Sequence, residues 1–161
     1  MVEQRIQIIA VGGLIVNKNN EVLLTQRNEQ EFPIWDGKWG IPGGHLEFGD
    51  NPEERLITEL KEELGVEVRI LTKTPFLTSY VFRTDKVIYH GILLCYLTQI
   101  IRGQPKIANQ ENRDFKWFRP EKINFKDCLP STDIFISQLP PGVKTSQKSR
   151  SQHGLLPTLN P

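Results

Sequence analysis

The sequence predicts an α/β protein whose mixed β-sheet packs against a small number of helices. Strand-like segments lie on both sides of one long amphipathic helix, and a short second helix follows them near residue 131. Because these strands do not alternate regularly with helices, the pattern disfavours a regularly wound parallel sheet. The length of 161 residues suits one ordinary domain with its own hydrophobic core.

Composition narrows the functional classes. A hydrophobic content of 38%, a charged content of 24% and a net charge of +1 are typical of a globular protein, and they disfavour stable binding to nucleic acid or a membrane surface. No apolar run approaches the ~20 residues that a membrane helix needs, and the first residues lack the pattern of a signal peptide. Cys95 and Cys128 show no metal-ligand spacing, which indicates reduced thiols in a cytoplasmic protein.

The first strand is predicted over residues 5–16, where β-branched residues are interrupted only by Gly12 and Gly13. These glycines predict either a β-bulge or a close approach of another backbone. Turn-forming residues at 17–20 and a return strand at 21–27 complete a predicted hairpin. Arg27 ends the return strand, where it either points into a site or meets solvent, and a polar loop follows at 28–38.

Further strands are predicted at residues 66–71, 74–82, 87–100 and 115–118, with a tight turn at 83–86 and a polar loop at 102–113. Ser131 has the character of a helix start, so a closing helix is predicted at 131–139. From residue 140 the chain is basic and poor in core-forming residues. We therefore predict one domain over 1–139 and a disordered basic tail over 140–161.

The long helix has clear boundaries and two distinct faces. Asn51 is a suitable N-cap with Glu54 at the capping-box position, and Gly65 is a suitable stop. At about 100° per residue, one face is expected to pack on the sheet through Leu56, Ile57, Leu60 and Leu64. Glu59, Glu62 and Glu63 fall in one arc beside that face, with Arg55 next to them. Three such close carboxylates repel one another unless a cation neutralises them.

The segment before this helix, WGIPGGHLEFG at 39–49, fits the same chemistry. Glycines allow backbone carbonyl and amide groups to approach a metal ion or a phosphate that a side chain would block. Hard cations such as Mg²⁺ prefer oxygen ligands, bind few carboxylates and keep several water molecules. A glycine-rich turn followed by an acidic arc therefore indicates a divalent metal site.

The stretch from Gly44 to Val66 resembles the signature box of the Nudix hydrolases, G-x5-E-x7-R-E-U-x-E-E-x-G-U, where U is a bulky aliphatic residue. The spacing is complete and seven of the nine defined positions match. With the flanking strand pattern, the similarity extends over about residues 5–139. The resemblance implies an α/β/α sandwich around a mixed sheet. It also implies cleavage of a diphosphate linkage in a nucleoside diphosphate derivative by water and Mg²⁺ or Mn²⁺.

The resemblance also implies roles for individual residues. Glu59, Glu62 and Glu63 are expected to hold metal, with one of them acting as general base. The carbonyl group of Gly43 is expected to add a ligand, and Glu111 corresponds to a loop glutamate that assists metal or water in several relatives. Predicted substrate contacts come from the pocket-lining positions Arg27, His45 and Glu47.

Two positions depart from the family pattern. Asp50 stands where the family usually has Glu, and Thr58 stands where it usually has Arg. In the family these two residues support the metal-binding helix through a charged contact. Arg55 lies four residues before Glu59 on the same side of the helix, and we hypothesise that it takes over the orienting role.

The resemblance is closest to members that hydrolyse nucleoside triphosphates, so a small nucleotide is the expected substrate. The main alternative is a nucleotide-sugar or ADP-ribose pyrophosphatase, against which Pro75 counts because it comes earlier than the proline of those relatives. A second alternative is a non-catalytic nucleotide sensor, and a homodimer is compatible with the sequence. The aromatic residues Phe32, Trp35, Tyr80 and Phe82 either stack a base or belong to the core.

Overall fold

The computed structural model describes residues 4–141, so the predicted tail lies outside the described residues beyond 141. The strands are β1 (Gln4–Ile15), β2 (Val22–Arg27), β3 (Trp39–Gly40), β4 (Gly43–His45), β5 (Glu67–Ile70), β6 (Phe76–Arg83), β7 (Val87–Arg102) and β8 (Asn112–Phe118). The α-helices are α1 (Pro52–Leu64) and α2 (Thr132–Ser137), and short 3-10 turns lie at Pro33–Trp35, Pro120–Lys122 and Phe125–Asp127. No helix within residues 4–141 is long and apolar enough to cross a membrane.

Two sheets form the scaffold. In the larger one, β1 runs parallel to β7, with Gln4 opposite Val87 and Ile15 opposite Thr98. β4 pairs antiparallel with the free side of β1, while β5 and β6 pair antiparallel with the other side of β7. The smaller sheet has the antiparallel order β3-β2-β8. The mixed-sheet prediction is confirmed.

The two faces of the strands lead to two hydrophobic cores. Along β1, Val11 and Ile15 pack in one core with the leucines of α1, whereas Leu14 packs in the other core with Phe135 and Ile136 of α2. Because successive side chains of a strand point to opposite faces, the two helices cover opposite sides of the same strands. This arrangement gives the α/β/α layering.

The hairpin prediction is wrong, although its turn is present. β1 and β2 share only one bridge, between Val16 and Val22, and then enter different sheets. The turn is held by the Asn17 side chain, which accepts hydrogen bonds from the backbone N–H groups of Asn19 at 2.9 Å and Glu21 at 3.0 Å. The local turn chemistry is therefore correct, but β1 completes its hydrogen bonding with β7 instead of β2.

Gly12 and Gly13 mark a close approach and not a bulge, because the register between β1 and β7 is continuous through both. The Gly13 N–H donates to the Pro42 carbonyl at 2.9 Å. A Cβ atom on Gly13 would lie 2.7 Å from a methyl carbon of Leu60 on α1. The missing side chain therefore lets α1 lie close against β1.

Helix α1 begins and ends as predicted. The Asn51 side chain accepts hydrogen bonds from the N–H groups of Glu53 and Glu54, and Gly65 has a φ of 67° and donates to the Lys61 carbonyl. Leu56, Leu60 and Leu64 are fully buried. Ile57 was wrongly placed on this face, since it is 40% exposed. At about 100° per residue, Ile57 lies beyond the edge of the arc that the three leucines define.

Two other elements differ from the sequence prediction. Ser131 precedes α2, but it has a φ of 70° and makes no side-chain cap hydrogen bond, and α2 is shorter than predicted. β8 begins at Asn112, within the segment predicted as a loop. The earlier start of β8 affects the site because it places Asn112 in a regular element next to α1.

The N-cap of α1 gives a direct test of how this helix is held. Asn51→Ala is expected to lower the free energy of unfolding by about 1 kcal/mol, because two backbone N–H groups lose their acceptor. Asn51→Asp retains the acceptor and is expected to match the wild type. Urea unfolding measures both variants, and equal stability of Asn51→Ala and the wild type would contradict the cap assignment.

Candidate active site

The glycine-rich turn is built by pairing of β4 with β1. Gly43 lies opposite Gly12, and Gly44 lies opposite Val11. A Cβ atom on Gly43 would overlap the Val11 carbonyl oxygen, and one on Gly44 would overlap the carboxylate of Glu59. The space that these glycines leave is therefore occupied by the neighbouring backbone and by an acidic side chain of α1.

Glu63 is held by two hydrogen bonds from different parts of the chain. One carboxylate oxygen accepts from the Gly43 N–H at 2.9 Å, and the other accepts from Asn112 Nδ2 at 2.9 Å. The residue is only 1% exposed. Burial raises the pKa of Glu63 to about 7, and the hydrogen bond from Asn112 opposes that rise. The result is a carboxylate of fixed orientation in a low-dielectric environment.

Glu59 is the second buried carboxylate, at 6% exposure. Burial raises its pKa, the adjacent Arg55 guanidinium opposes the rise, and Glu62 adds to it. Arg55 Nη2 contacts Glu59 Oε1, and Arg55 Nε lies 3.3 Å from the His45 carbonyl oxygen and 3.9 Å from a carboxylate oxygen of Asp50. Arg55 thus connects the glycine turn, Asp50 and Glu59.

The two unusual positions of the box do not contact each other in the way the family pattern implies. The Thr58 hydroxyl donates to the Glu54 carbonyl at 3.0 Å within α1. One oxygen of Asp50 accepts from the Glu47 N–H at 2.9 Å and lies near Arg55. The charged contact to Asp50 therefore comes from Arg55, one turn earlier on the helix than Thr58.

The other predicted metal-binding residues are placed differently. Glu62 is exposed, and it is not among the described residues that line the cavity beside Glu59 and Glu63. The Glu111 side chain is 60% exposed and lies 3.8 Å from Arg27 Nη1. Among residues 4–141, no three acidic, histidine or cysteine side chains converge closely enough to hold a metal ion. Of the predicted ligands, Glu59 and Glu63 are therefore buried and held by N–H donors, whereas Glu62 and Glu111 are exposed.

A cavity of about 390 Å³ joins these groups. Its lining includes the glycines Gly43 and Gly44 and the buried carboxylates of Glu59 and Glu63. It also includes the predicted substrate-binding residues and one predicted metal residue: Arg27, His45, Glu47 and Glu111. Arg27 points into this cavity, and its guanidinium is also 3.1 Å from Glu29. Of the two alternatives for Arg27, the structure favours the one directed at a site.

Aromatic side chains form a further part of the cavity lining, here called the aromatic wall. Phe32, Trp35, Tyr80 and Phe82 all line it, so they are neither core nor isolated surface residues. The rings of Tyr80 and Phe82 are nearly parallel at a centroid separation of 5.9 Å, and the ring of Phe32 meets that of Phe82 edge-on at 5.6 Å. Such a wall offers apolar faces to a planar ligand.

Sequence reasoning missed two residues of the site. Asn112 was assigned to a loop, and no local pattern distinguished it from the other polar residues there. Glu29 accepts hydrogen bonds from Arg27 Nη2 and from the backbone N–H of Glu31 at 2.9 Å. The only signal for Glu29 was its position two residues after Arg27, at the start of a polar loop.

Comparison with known proteins agrees with this fold. Residues 7–138 match the NUDIX domain. The chain is 30% identical over 131 residues to an 8-oxo-dGTP diphosphatase of Escherichia coli (strain K12), covering 81% of this chain and 94% of that protein. It is also 30% identical over 121 residues to the nucleoside triphosphatase NudI of another E. coli strain, covering 71% and 85% of the two chains.

Solved structures show the same fold. A MutT NUDIX hydrolase from Burkholderia pseudomallei superposes with a TM-score of 0.69 at 21% identity, covering 84% of this chain and 99% of that one. An ADP-ribose pyrophosphatase from Streptococcus suis superposes with a TM-score of 0.55 at 17% identity, covering 81% and 85%. The chain belongs to the Nudix hydrolase family. It is a hydrolase acting on phosphoric anhydride bonds.

The raised pKa of Glu63 predicts a specific pH dependence of the metal-free protein. The native carboxyl holds its proton more tightly than the unfolded one, so stability is lost as the pH rises from about 4.5 to about 7. Glu63→Gln removes the buried charge and is expected to raise the free energy of unfolding at pH 8 by a few kcal/mol, while changing it little at pH 4.

Urea unfolding in the presence of a chelator measures this effect. Glu62→Gln is the matched control, because Glu62 is the exposed neighbour on the same helix and its substitution is expected to change stability little at either pH. A Glu63→Gln protein that is no more stable than the wild type at pH 8 would contradict the assignment of a buried carboxyl group with a raised pKa.

Proposed function

We propose that this protein is a Mg²⁺-dependent pyrophosphohydrolase of nucleoside triphosphates or closely related nucleotides, with Mn²⁺ as a possible substitute. The observation that carries the proposal is that two buried glutamates, an arginine and an aromatic wall line one and the same cavity. These are the groups that a nucleotide needs: oxygen ligands for a cation, a positive charge for phosphate, and a flat surface for a base.

The chemistry of the oxygen donors, although not their present spacing, suits a hard divalent cation. Nudix enzymes generally need such an ion, and the cavity lining includes Glu59, Glu63 and Gly43, whose carboxylates and carbonyl are oxygen donors. The absence of a side chain at Gly44 leaves the room that the Glu59 carboxylate occupies. When bound, a divalent ion supplies positive charge that stabilises the charge developing on the phosphates. Glu62 and Glu111 are the neighbouring carboxylates proposed to complete the set.

The chain's own residues have distinct proposed tasks. Glu63, held by Gly43 and Asn112, is proposed to accept a proton from the attacking water. Arg27 binds phosphate oxygens, because its guanidinium faces the cavity and reaches both Glu29 and Glu111. His45 and Glu47 line the same cavity and are proposed to contact the substrate.

The aromatic wall supports a nucleoside as the second half of the substrate. A base in contact with these rings would share one cavity with Arg27 and the two buried glutamates. The two curated relatives described above are a diphosphatase and a triphosphatase of nucleoside triphosphates. ADP-ribose or a nucleotide sugar is the alternative substrate, and the similarity to an ADP-ribose pyrophosphatase concerns the fold alone.

The test is a nucleotide panel with Mg²⁺ and analysis of both products. Pyrophosphate with a nucleoside monophosphate marks a triphosphate substrate, whereas two monophosphate-bearing products mark the alternative. Glu63→Gln is expected to lower kcat by about two orders of magnitude or more, the scale of losing a metal ligand or a general base. Glu54→Gln, an exposed glutamate on the same helix, is the matched control.

Two results would count against the proposal. Full turnover in both Glu62→Gln and Glu63→Gln would remove the metal-site assignment. Tight nucleotide binding without turnover under Mg²⁺ and Mn²⁺ would instead identify a nucleotide sensor.

Arg55 is proposed to orient Glu59 in place of the arginine that the family usually has at position 58. Arg55→Ala is expected to lower kcat by about tenfold or more at saturating metal, the usual cost of losing a partner that orients a ligand. Thr58→Arg is expected to give no gain, because Arg55 already contacts both Asp50 and Glu59.

Steady-state kinetics across a metal titration measures both Arg55→Ala and Thr58→Arg. Lys61→Ala is the control, since Lys61 is an exposed cation of the same helix that faces Glu67 instead of the cavity. Unchanged turnover in Arg55→Ala together with increased turnover in Thr58→Arg would refute the orienting role.

A further inference from the structure

Asn112 owes its position to an irregularity in the smaller sheet. β8 pairs with β2 so that Asp114 lies opposite Gln26, but Asn112 and not Arg113 lies opposite Arg27. β8 therefore contains one extra residue relative to β2, which is a β-bulge. At this bulge the strict alternation of side chains between the two faces of the sheet is interrupted. Asp114 and Arg113 are exposed, whereas Asn112 is only 3% exposed and lines the cavity. Bulges next to active sites commonly redirect a side chain in this way.

The buried amide is only half satisfied. Asn112 Nδ2 donates to Glu63 at 2.9 Å, while Asn112 Oδ1 is buried and has no hydrogen-bond partner among the described residues. A buried acceptor without a donor costs about 1–3 kcal/mol. Since native proteins rarely leave such groups unpaired, an unpaired acceptor beside a cavity points to a partner that arrives with a ligand.

Several groups of the site cannot donate a hydrogen bond to Asn112 Oδ1. The carboxylates of Glu59 and Glu63 and the phosphates of the proposed substrate are acceptors, and they cannot satisfy Oδ1 while ionised. The Gly43 N–H is already used by Glu63. A water molecule carried by a divalent cation is a donor of the right kind, because Mg²⁺ retains several waters when carboxylates bind it.

We propose that Asn112 is a positioning residue of this site, with a separate task for each end of its amide. Nδ2 fixes the orientation of the Glu63 carboxylate, and Oδ1 would accept a hydrogen bond from a water molecule carried by a bound divalent cation. This inference rests on the proposed metal-dependent function, and it adds a residue outside the signature box to the metal-binding machinery. Partners of this type typically change metal affinity by about 10–100-fold when they are removed.

The test is the affinity for Mn²⁺ alone, measured by electron paramagnetic resonance on the purified full chain without nucleotide. Asn112→Ala is expected to weaken Mn²⁺ binding by about tenfold or more. Asn124→Ala is the matched control, because Asn124 is an exposed asparagine whose side chain bonds only to Lys126 and Asp127 in the described structure. Val68→Ala, a core substitution away from the cavity, controls for lost stability and is expected to leave Mn²⁺ affinity unchanged.

The outcomes separate this inference from the proposed function. A wild-type chain that binds Mn²⁺ and an Asn112→Ala chain that binds it equally well would overturn the role of Asn112 and leave the metal-dependent function standing. A wild-type chain that neither binds Mn²⁺ nor hydrolyses any nucleotide of the panel would overturn both.

A second measurement needs no variant, so it covers the case in which Asn112→Ala does not fold. In an NMR titration of the wild type with Mg²⁺ alone, the side-chain amide signals of Asn112 are expected to shift while those of Asn124 stay in place. A titration that moves the backbone amide of Gly43 but leaves the Asn112 side chain unmoved would also overturn the inference.

Discussion

The structure depends on keeping two carboxylates of one helix buried beside a backbone turn. Glu59 and Glu63 are one helical turn apart, and burial raises the pKa of both carboxyl groups, with the charge of Glu59 adding to the rise at Glu63. The chain offsets this cost with donors from separate elements. Gly43 in β4 and Asn112 in β8 bind Glu63, and Arg55 in α1 binds Glu59. The site is therefore assembled by the tertiary fold, although its acidic residues come from a single helix.

The leucines of α1 make this arrangement possible. Leu56, Leu60 and Leu64 are fully buried, and they fix the rotation of the helix about its axis. With that rotation fixed, Glu59 and Glu63 fall at the border of the buried face, and Glu62 falls outside it. The same close packing requires glycine at 13 and 44, because a side chain at either position would meet Leu60 or Glu59. Apolar packing thus determines which glutamates become buried and which stays in solvent.

Local rules explain what the sequence could predict. The turn at Asn17, the caps of α1 at Asn51 and Gly65, and the acidic arc depend on neighbours in the chain, so spacing alone identified them. Interactions between segments that are distant in the chain could not be predicted from local sequence patterns. The divergence of β1 and β2 is decided by pairing with β7 and β8, and the burial of Asn112 depends on a bulge relative to β2. The aromatic wall combines Phe32 from a loop with Tyr80 and Phe82 from β6, whose common cavity no periodicity reveals.

The two departures from the family pattern are best understood through geometry. A charged contact that holds α1 against the glycine turn requires a positively charged side chain on the side of α1 that faces this turn, and the position of that side chain in the sequence is less important. Arg55 meets this need, since it reaches the His45 carbonyl, Asp50 and Glu59 together. Asp50 is shorter than glutamate, and its second contact with the Glu47 N–H holds it within the turn, where Arg55 can approach it. The helix position that the family usually gives to arginine is then free to hold Thr58, which bonds within its own helix. A site of this kind constrains where its charges lie more strongly than which residues carry them.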